Sequence, residues 1–137
     1  MAIKSTVSRL APHLLSVLRI VAASLFIAHG TQKLFGFPAA GPRFQLLSML
    51  GAAGILEAGG GVLMLIGLFT RPVAFILAGE MAIGYFMAHA PRDIFPANNG
   101  GDAAILFCFL FLYLSAAGPG AWSVDGTDRE RVALTRM

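Results

Sequence analysis

Two ionisable side chains stand four residues apart where a long apolar run ends, in His29-Gly-Thr-Gln-Lys33-Leu-Phe-Gly36. On a helix this spacing puts imidazole and ammonium one above the other on one face. Together they can hold an anionic or carbonyl oxygen by hydrogen bonds. The groups able to complement them lie far along the chain: Glu57, Glu80, His89, Asn99 and Asp102. Asp102 suits two compatible roles, orienting one of the cations and capping the helix that follows it. Glu57 and Glu80 can pass protons, or with Arg19 they can form an ion-pair network that only fixes helix register. Lys33 has its own plain alternative, which is to snorkel to the lipid headgroups. No His-x-x-x-His pair and no cysteine cluster is present, so no metal site is expected. Cys108 is the one cysteine, which excludes an intrachain disulfide and a CxxC motif; inside an apolar stretch it reads as a small buried residue.

These groups belong to a chain built for lipid. Apolar residues make up 57% and Asp, Glu, Lys and Arg 12% of the 137 residues, against about 45–50% and about 25% in soluble domains. Such a chain cannot cover its surface with polar groups in water. The net charge of +3 comes from dispersed residues, without a basic run interleaved with aromatics, so nucleic acid is not an expected partner.

A spanning helix needs about 20 apolar residues. Four candidates follow: Leu14 to Leu34, Phe44 to Phe69, Pro72 to His89 and Asp102 to Ala117. Gly36, Pro38, Gly41 and Pro42 break the chain after the first span. Thr70-Arg71-Pro72 makes a tight turn, with Thr70 as the expected N-cap of the third span. Ala90-Pro91 ends that span, 91–101 is a loop, and Gly118-Pro119-Gly120 stops the fourth. The first span is too long, and its polar end too unlike a cleavage site, for a signal peptide, so it is expected to be retained. Lys4, Arg9, Arg71, Arg129, Arg131 and Arg136 fall on one side, and Lys33, Arg43 and Arg92 on the other. By the positive-inside rule both termini are expected to be cytoplasmic. The fold class is thus all-α: an integral membrane four-helix bundle, up-down-up-down, with Gly51, Gly54, Ala58 and Gly61 allowing close helix packing. A short surface helix is compatible with the polar tail.

Ionisable residues within spans usually point into the bundle. Counted by helical rise from the outer ends, His29, Lys33, His89 and Asp102 fall within roughly 8 Å, and Arg19, Glu57, Glu80 and Tyr113 roughly 13–22 Å down. Two polar layers are therefore expected: an outer ligand-binding layer of His29, Lys33, His89, Asn99 and Asp102, and a deeper buried charge network of Arg19, Glu57, Glu80 and Tyr113. In a regular helix His89 lies opposite Glu80, unless Pro91 distorts the last turn. One cation facing two carboxylates favours a proton shared between Glu57 and Glu80.

Four segments carry a resemblance to a known family: His29-Gly-Thr-Gln-Lys33-Leu-Phe-Gly36; Glu57-Ala-Gly-Gly-Gly through Gly67-Leu-Phe-Thr-Arg71; His89 with Phe95 and Asn99-Gly-Gly-Asp102; and Gly118-Pro-Gly-Ala-Trp-Ser-Val-Asp125. Across roughly residues 15–125 the chain resembles the DoxX family of small four-span bacterial membrane proteins, with Asp102 where the family commonly has Glu. The resemblance implies a transmembrane domain over 1–120, a cytoplasmic tail over 121–137 and a place in the bacterial inner membrane. It further implies an accessory or small-ligand-binding subunit of a membrane oxidoreductase or oxidative-stress system, since relatives include a subunit of a thiosulfate:quinone oxidoreductase. The implied ligand is quinone-like, and the implied partners are the lipid bilayer, redox proteins and a second copy of the chain. Relatives acting in thiol chemistry carry extra cysteines; with Cys108 alone, direct dithiol exchange is not expected here. A scaffold recruiting cytoplasmic partners through 121–137, and a small transporter or proton pathway, stay open beside this reading.

Overall fold

The computed structural model describes residues 2–39 and 45–127, with side chains from residue 7 onward. Arg43, Arg129, Arg131 and Arg136, the side chain of Lys4 and any helix beyond 127 lie outside the described residues. Five helices follow in order: α1 Ala2–Phe35, α2 Met49–Ile66, α3 Thr70–Gly84 running on into a π-turn at Tyr85–His89, a short α4 Pro96–Asn99, and α5 Asp102–Ala117. Val7–Phe35, Met49–Ile66 and Thr70–His89 are long and apolar enough to cross a membrane, and Asp102–Ala117 is a shorter apolar helix. The chain is an all-α, multi-pass membrane bundle.

Helix ends differ from expectation where local chemistry intervenes. α1 begins at Ala2 rather than near Leu14, because Pro12 withdraws one backbone donor without ending the helix. α2 begins at Met49 rather than Phe44: Ser48 caps it, its hydroxyl accepting from the Gly51 amide at 3.0 Å. The cap position of α3 is Phe69, in the left-handed region at φ 51°, and not Thr70. Asp125 supplies the missing acceptor, its carboxylate taking the Phe69 and Thr70 amides at 2.9 and 2.8 Å. The cap of α5 is Gly101, so Asp102 is the first helical residue and acts on the helix through its charge.

α1 lies along α2, α3 lies along α5, and α2 touches α3. Between α1 and α5 the contact is carried by rings: Phe26 packs on Phe107 and Phe111 at centroid distances of 5.3 and 4.8 Å. Ala22, Ala23, Met64, Ala74, Leu77, Ala78 and Leu114 complete the core. The close α1–α2 approach depends on small residues. A Cβ on Gly30 would overlap the Ala58 backbone nitrogen and stand 2.8 Å from the Gly54 carbonyl oxygen, and one on Gly61 would stand 2.7 Å from Ile27. Gly54, Ala58 and Gly61 thus meet α1 as expected, whereas Gly51 faces its own lead-in at Gln45 and Leu46.

The end of the bundle carrying the 67–71 turn, here the terminal end, is closed by charge on backbone. Arg19 is fully buried; its Nε donates to the Pro119 carbonyl at 2.8 Å and its Nη1 to the Leu65 carbonyl at 2.7 Å, and it also bonds the Met64 and Trp122 carbonyls. Arg71 donates to the Ser115 carbonyl at 3.1 Å and to that of Ala116. The last turns of α2 and α5 therefore each receive a guanidinium where helices leave carbonyls unpaired. The Ala121 and Trp122 amides bond Pro12 O and Ser16 Oγ at 3.0 Å each, tying residues 119–125 to α1.

Changing Gly30 to Ala is expected to lower unfolding stability in detergent by about 1–3 kcal/mol, the usual cost of overpacking. Gly59, with nothing within 4 Å of its would-be Cβ, is the control. Gly59→Ala is expected to leave stability unchanged or raise it by less than about 1 kcal/mol. Chemical unfolding followed by circular dichroism measures both.

Candidate functional site

The contact between α2 and α3 sets the register of the buried carboxylates. A Cβ on Gly60 would stand 2.8 Å from Leu77 Cδ2, so these two residues face each other on antiparallel helices. Glu57 is three residues before Gly60 and Glu80 three after Leu77. One helical turn further along, the two carboxylates therefore come level on facing helices. Gly54 admits the third member. A Cβ there would lie 3.1 Å from Lys33 Cβ, so the missing side chain lets the lysine stem run along α2 toward Glu57.

Lys33 Nζ forms an ion pair with Glu57 Oε1. Glu57 is 2% exposed and the Lys33 side chain 26%. Glu80 stands within electrostatic reach of both. The surplus acceptors are unmatched: among the described residues Glu57 Oε2 and both Glu80 carboxylate oxygens are buried without a hydrogen-bond partner. One ammonium thus faces two carboxylates. Buried acceptors of this kind cost free energy until a donor reaches them.

The two expected layers are therefore redrawn. Lys33, assigned to the outer layer by the depth of its Cα, joins the deeper carboxylates because its stem spans the difference. Arg19 does not join them: it lies on the terminal end, bonded to Met64 and Leu65, which follow Glu57 by about 10 Å or more of helical rise. Tyr113 is exposed, on a face of α5 turned away from the interior, and is no part of a buried network.

At the opposite end, which carries the 90–101 loop, a second group forms around Asn99. Its Nδ2 donates to the Asp93 carbonyl at 2.9 Å and to Tyr85 Oη at 3.4 Å, while its Oδ1 accepts the Gly101 amide at 2.7 Å. Asn99 is 3% exposed, and its side chain is occupied in holding the loop. His89 Nδ1 lies 3.1 Å from the Asn99 carbonyl oxygen, and its ring stacks on Tyr85 with centroids 6.3 Å apart. The π-turn at Tyr85–His89 makes this possible by shifting the phase of the last turn ahead of Pro91. Tyr85 belongs to this group although no charge marks it; its signal in the sequence is the aromatic–His pair at i, i+4 just before a proline. His29 and Asp102 join neither group. His29 is exposed with its ring edge-on to Phe107, and Asp102 is exposed at the start of α5.

A multi-pass bundle with an interior ion pair and a bridged loop at one end is the class of protein that this geometry defines. The sequence model of the DoxX family matches residues 14–90. An uncharacterized protein of Haemophilus influenzae is 44% identical over 120 residues, covering 83% of this chain and 90% of its own length. Two inner membrane proteins of Escherichia coli, YqjF and YphA, are 32% and 30% identical, over 80% and 83% of this chain and 87% and 89% of theirs. No solved structure gives a significant match. The chain belongs to the DoxX family and is a multi-pass inner-membrane protein.

Arg19→Leu is expected to strip the donors from four carbonyls and destabilise the bundle by about 3 kcal/mol or more. Arg19→Lys, with the charge but not the fork, should recover only part of the loss. Thermal unfolding in detergent distinguishes the three proteins, and equal melting temperatures would show that the clamp does not stabilise the fold.

Proposed function

We propose that this protein is the membrane subunit of an oxidoreductase system, with Lys33, Glu57 and Glu80 forming the polar end of a site for a small quinone-like ligand. The observation that supports this reading is the polar set: one half-buried ammonium beside three buried carboxylate oxygens that have no partner among the described residues. That set fits a molecule carrying both acceptors and donors. A quinone supplies two carbonyl acceptors that become two hydroxyl donors on two-electron reduction. Lys33 donates to a ligand oxygen and Glu57 holds Lys33 in place. Glu80, with both oxygens open, accepts the hydrogen bond of a ligand hydroxyl, and takes up that proton when a redox partner protein withdraws the two electrons from the reduced ligand. His89 and Asn99 shape the loop over this end. Both termini face the cytoplasm, where residues 121–137 meet redox partner proteins.

The same open oxygens favour a second reading, in which the carboxylates carry protons across the membrane without a ligand. It predicts proton flux in liposomes that depends on Glu80 and needs no quinone.

Titration of the purified protein with a short-chain quinone tests the first reading. The wild type is expected to bind. Lys33→Met and Glu80→Gln should each weaken binding about tenfold, the effect of losing one charge-assisted hydrogen bond. Binding by folded Lys33→Met equal to that of the wild type, or no binding by the wild type, overturns it.

A further inference from the structure

α1 and α5 are held apart by the Phe26, Phe107 and Phe111 rings, and the gap between them is a groove of about 280 Å³ open to the membrane. Leu18, Val21 and Leu25 form one wall and Ala103, Leu106 and Leu110 the other, with Ala22 at the floor. By helical rise the groove runs about 10 Å along α1. A helix with its side chains is about 10 Å across, too wide for this volume, whereas a single hydrocarbon chain is not.

Both walls end in a titratable residue at the loop end. Leu18, Ala22, Leu25 and His29 follow one another at helical spacing on α1, and Asp102, Leu106 and Leu110 do so on α5. His29 and Asp102 are both exposed, and neither has a hydrogen-bond partner among the described residues. Ionisable groups at the lipid face of a span are costly unless something outside the protein engages them. A carboxylate repels an anionic head and attracts an ammonium, while an imidazole N–H donates to a phosphate oxygen. The apolar walls and this polar rim together match one kind of molecule.

We propose that the α1–α5 groove binds one acyl chain of an aminophospholipid, whose phosphate is held by His29 and whose ammonium is held by Asp102. The site is separate from the Lys33–Glu57–Glu80 cluster, which uses the α1–α2 and α2–α3 contacts.

The test exposes the purified chain to detergent micelles holding equal amounts of phosphatidylethanolamine and phosphatidylglycerol and counts retained lipid by native mass spectrometry. Phosphatidylethanolamine should be retained over phosphatidylglycerol by about tenfold, one charge-assisted contact's worth. Asp102→Asn, at an exposed position, should remove that preference with no more than a small fall in melting temperature, the effect of one charge at a helix N-terminus. Leu106→Trp, at a position 70% exposed, should lower retention of both lipids by filling the groove. Equal retention of the two lipids by the wild type, or an unchanged preference in Asp102→Asn, overturns the proposal. So does a lipid-free dimer that Leu106→Trp dissociates, which assigns the groove to a second copy. A quinone retained there in place of phospholipid overturns it as well.

Discussion

A charged side chain in the hydrocarbon must find its counter-charge or its hydrogen-bond partners within the protein, because acyl chains supply none and water is excluded. The Lys33–Glu57 pair is where this constraint acts most strongly. It explains why Gly54 carries no side chain, since the lysine stem needs that space to reach Glu57. It explains why Gly30 sits against Ala58, since α1 must approach α2 closely for the pair to form. It also defines what remains undone: Glu80, level with Glu57 on the facing helix, adds a carboxylate for which the described residues provide no donor. A purely structural network would end with its acceptors satisfied. This one ends with open oxygens, which is why it reads as a site.

At the terminal end the same scarcity of water is met differently. Backbone carbonyls at helix ends have no intrahelical partner, and in a membrane protein they must be satisfied internally. Arg19 and Arg71 serve α2 and α5, and Asp125 serves the amide end of α3. The four segments that carry the family resemblance thus divide by role. Gly67-Leu-Phe-Thr-Arg71 and Gly118 through Asp125 build the closed end. Lys33 in the first segment and Glu57 in the second build the polar interior, and His89 with Asn99 ties the loop at the opposite end.

The architecture was legible because apolar run length, breakers and small residues report directly on membrane packing. Four apolar helices and the Gly54–Ala58–Gly61 contact with α1 follow from those signals alone. The site was legible in its residue types but not in its grouping. Depth counted along helix axes places Cα atoms, and a lysine head can sit most of a turn away from its own Cα. By residue type Arg19 pairs with carboxylates, whereas its partners are backbone carbonyls that no residue type marks. Depth along α5 puts Tyr113 level with the carboxylates, but it shares with Asp102 and Phe109 a face of the helix that is exposed. His89 depended on the π-turn, whose phase shift a regular period does not anticipate.

The most direct test of this account is a double-mutant cycle on Lys33→Met and Glu57→Gln, read as unfolding free energy in detergent. If the pair is interior, Lys33→Met leaves buried carboxylates uncompensated and destabilises by about 3–5 kcal/mol, and Glu57→Gln, with Glu80 still in reach of the ammonium, destabilises by less. The double variant then loses much less than the sum. Additive effects, with Lys33→Met close to neutral, would place the ammonium among the lipid headgroups and contradict the account.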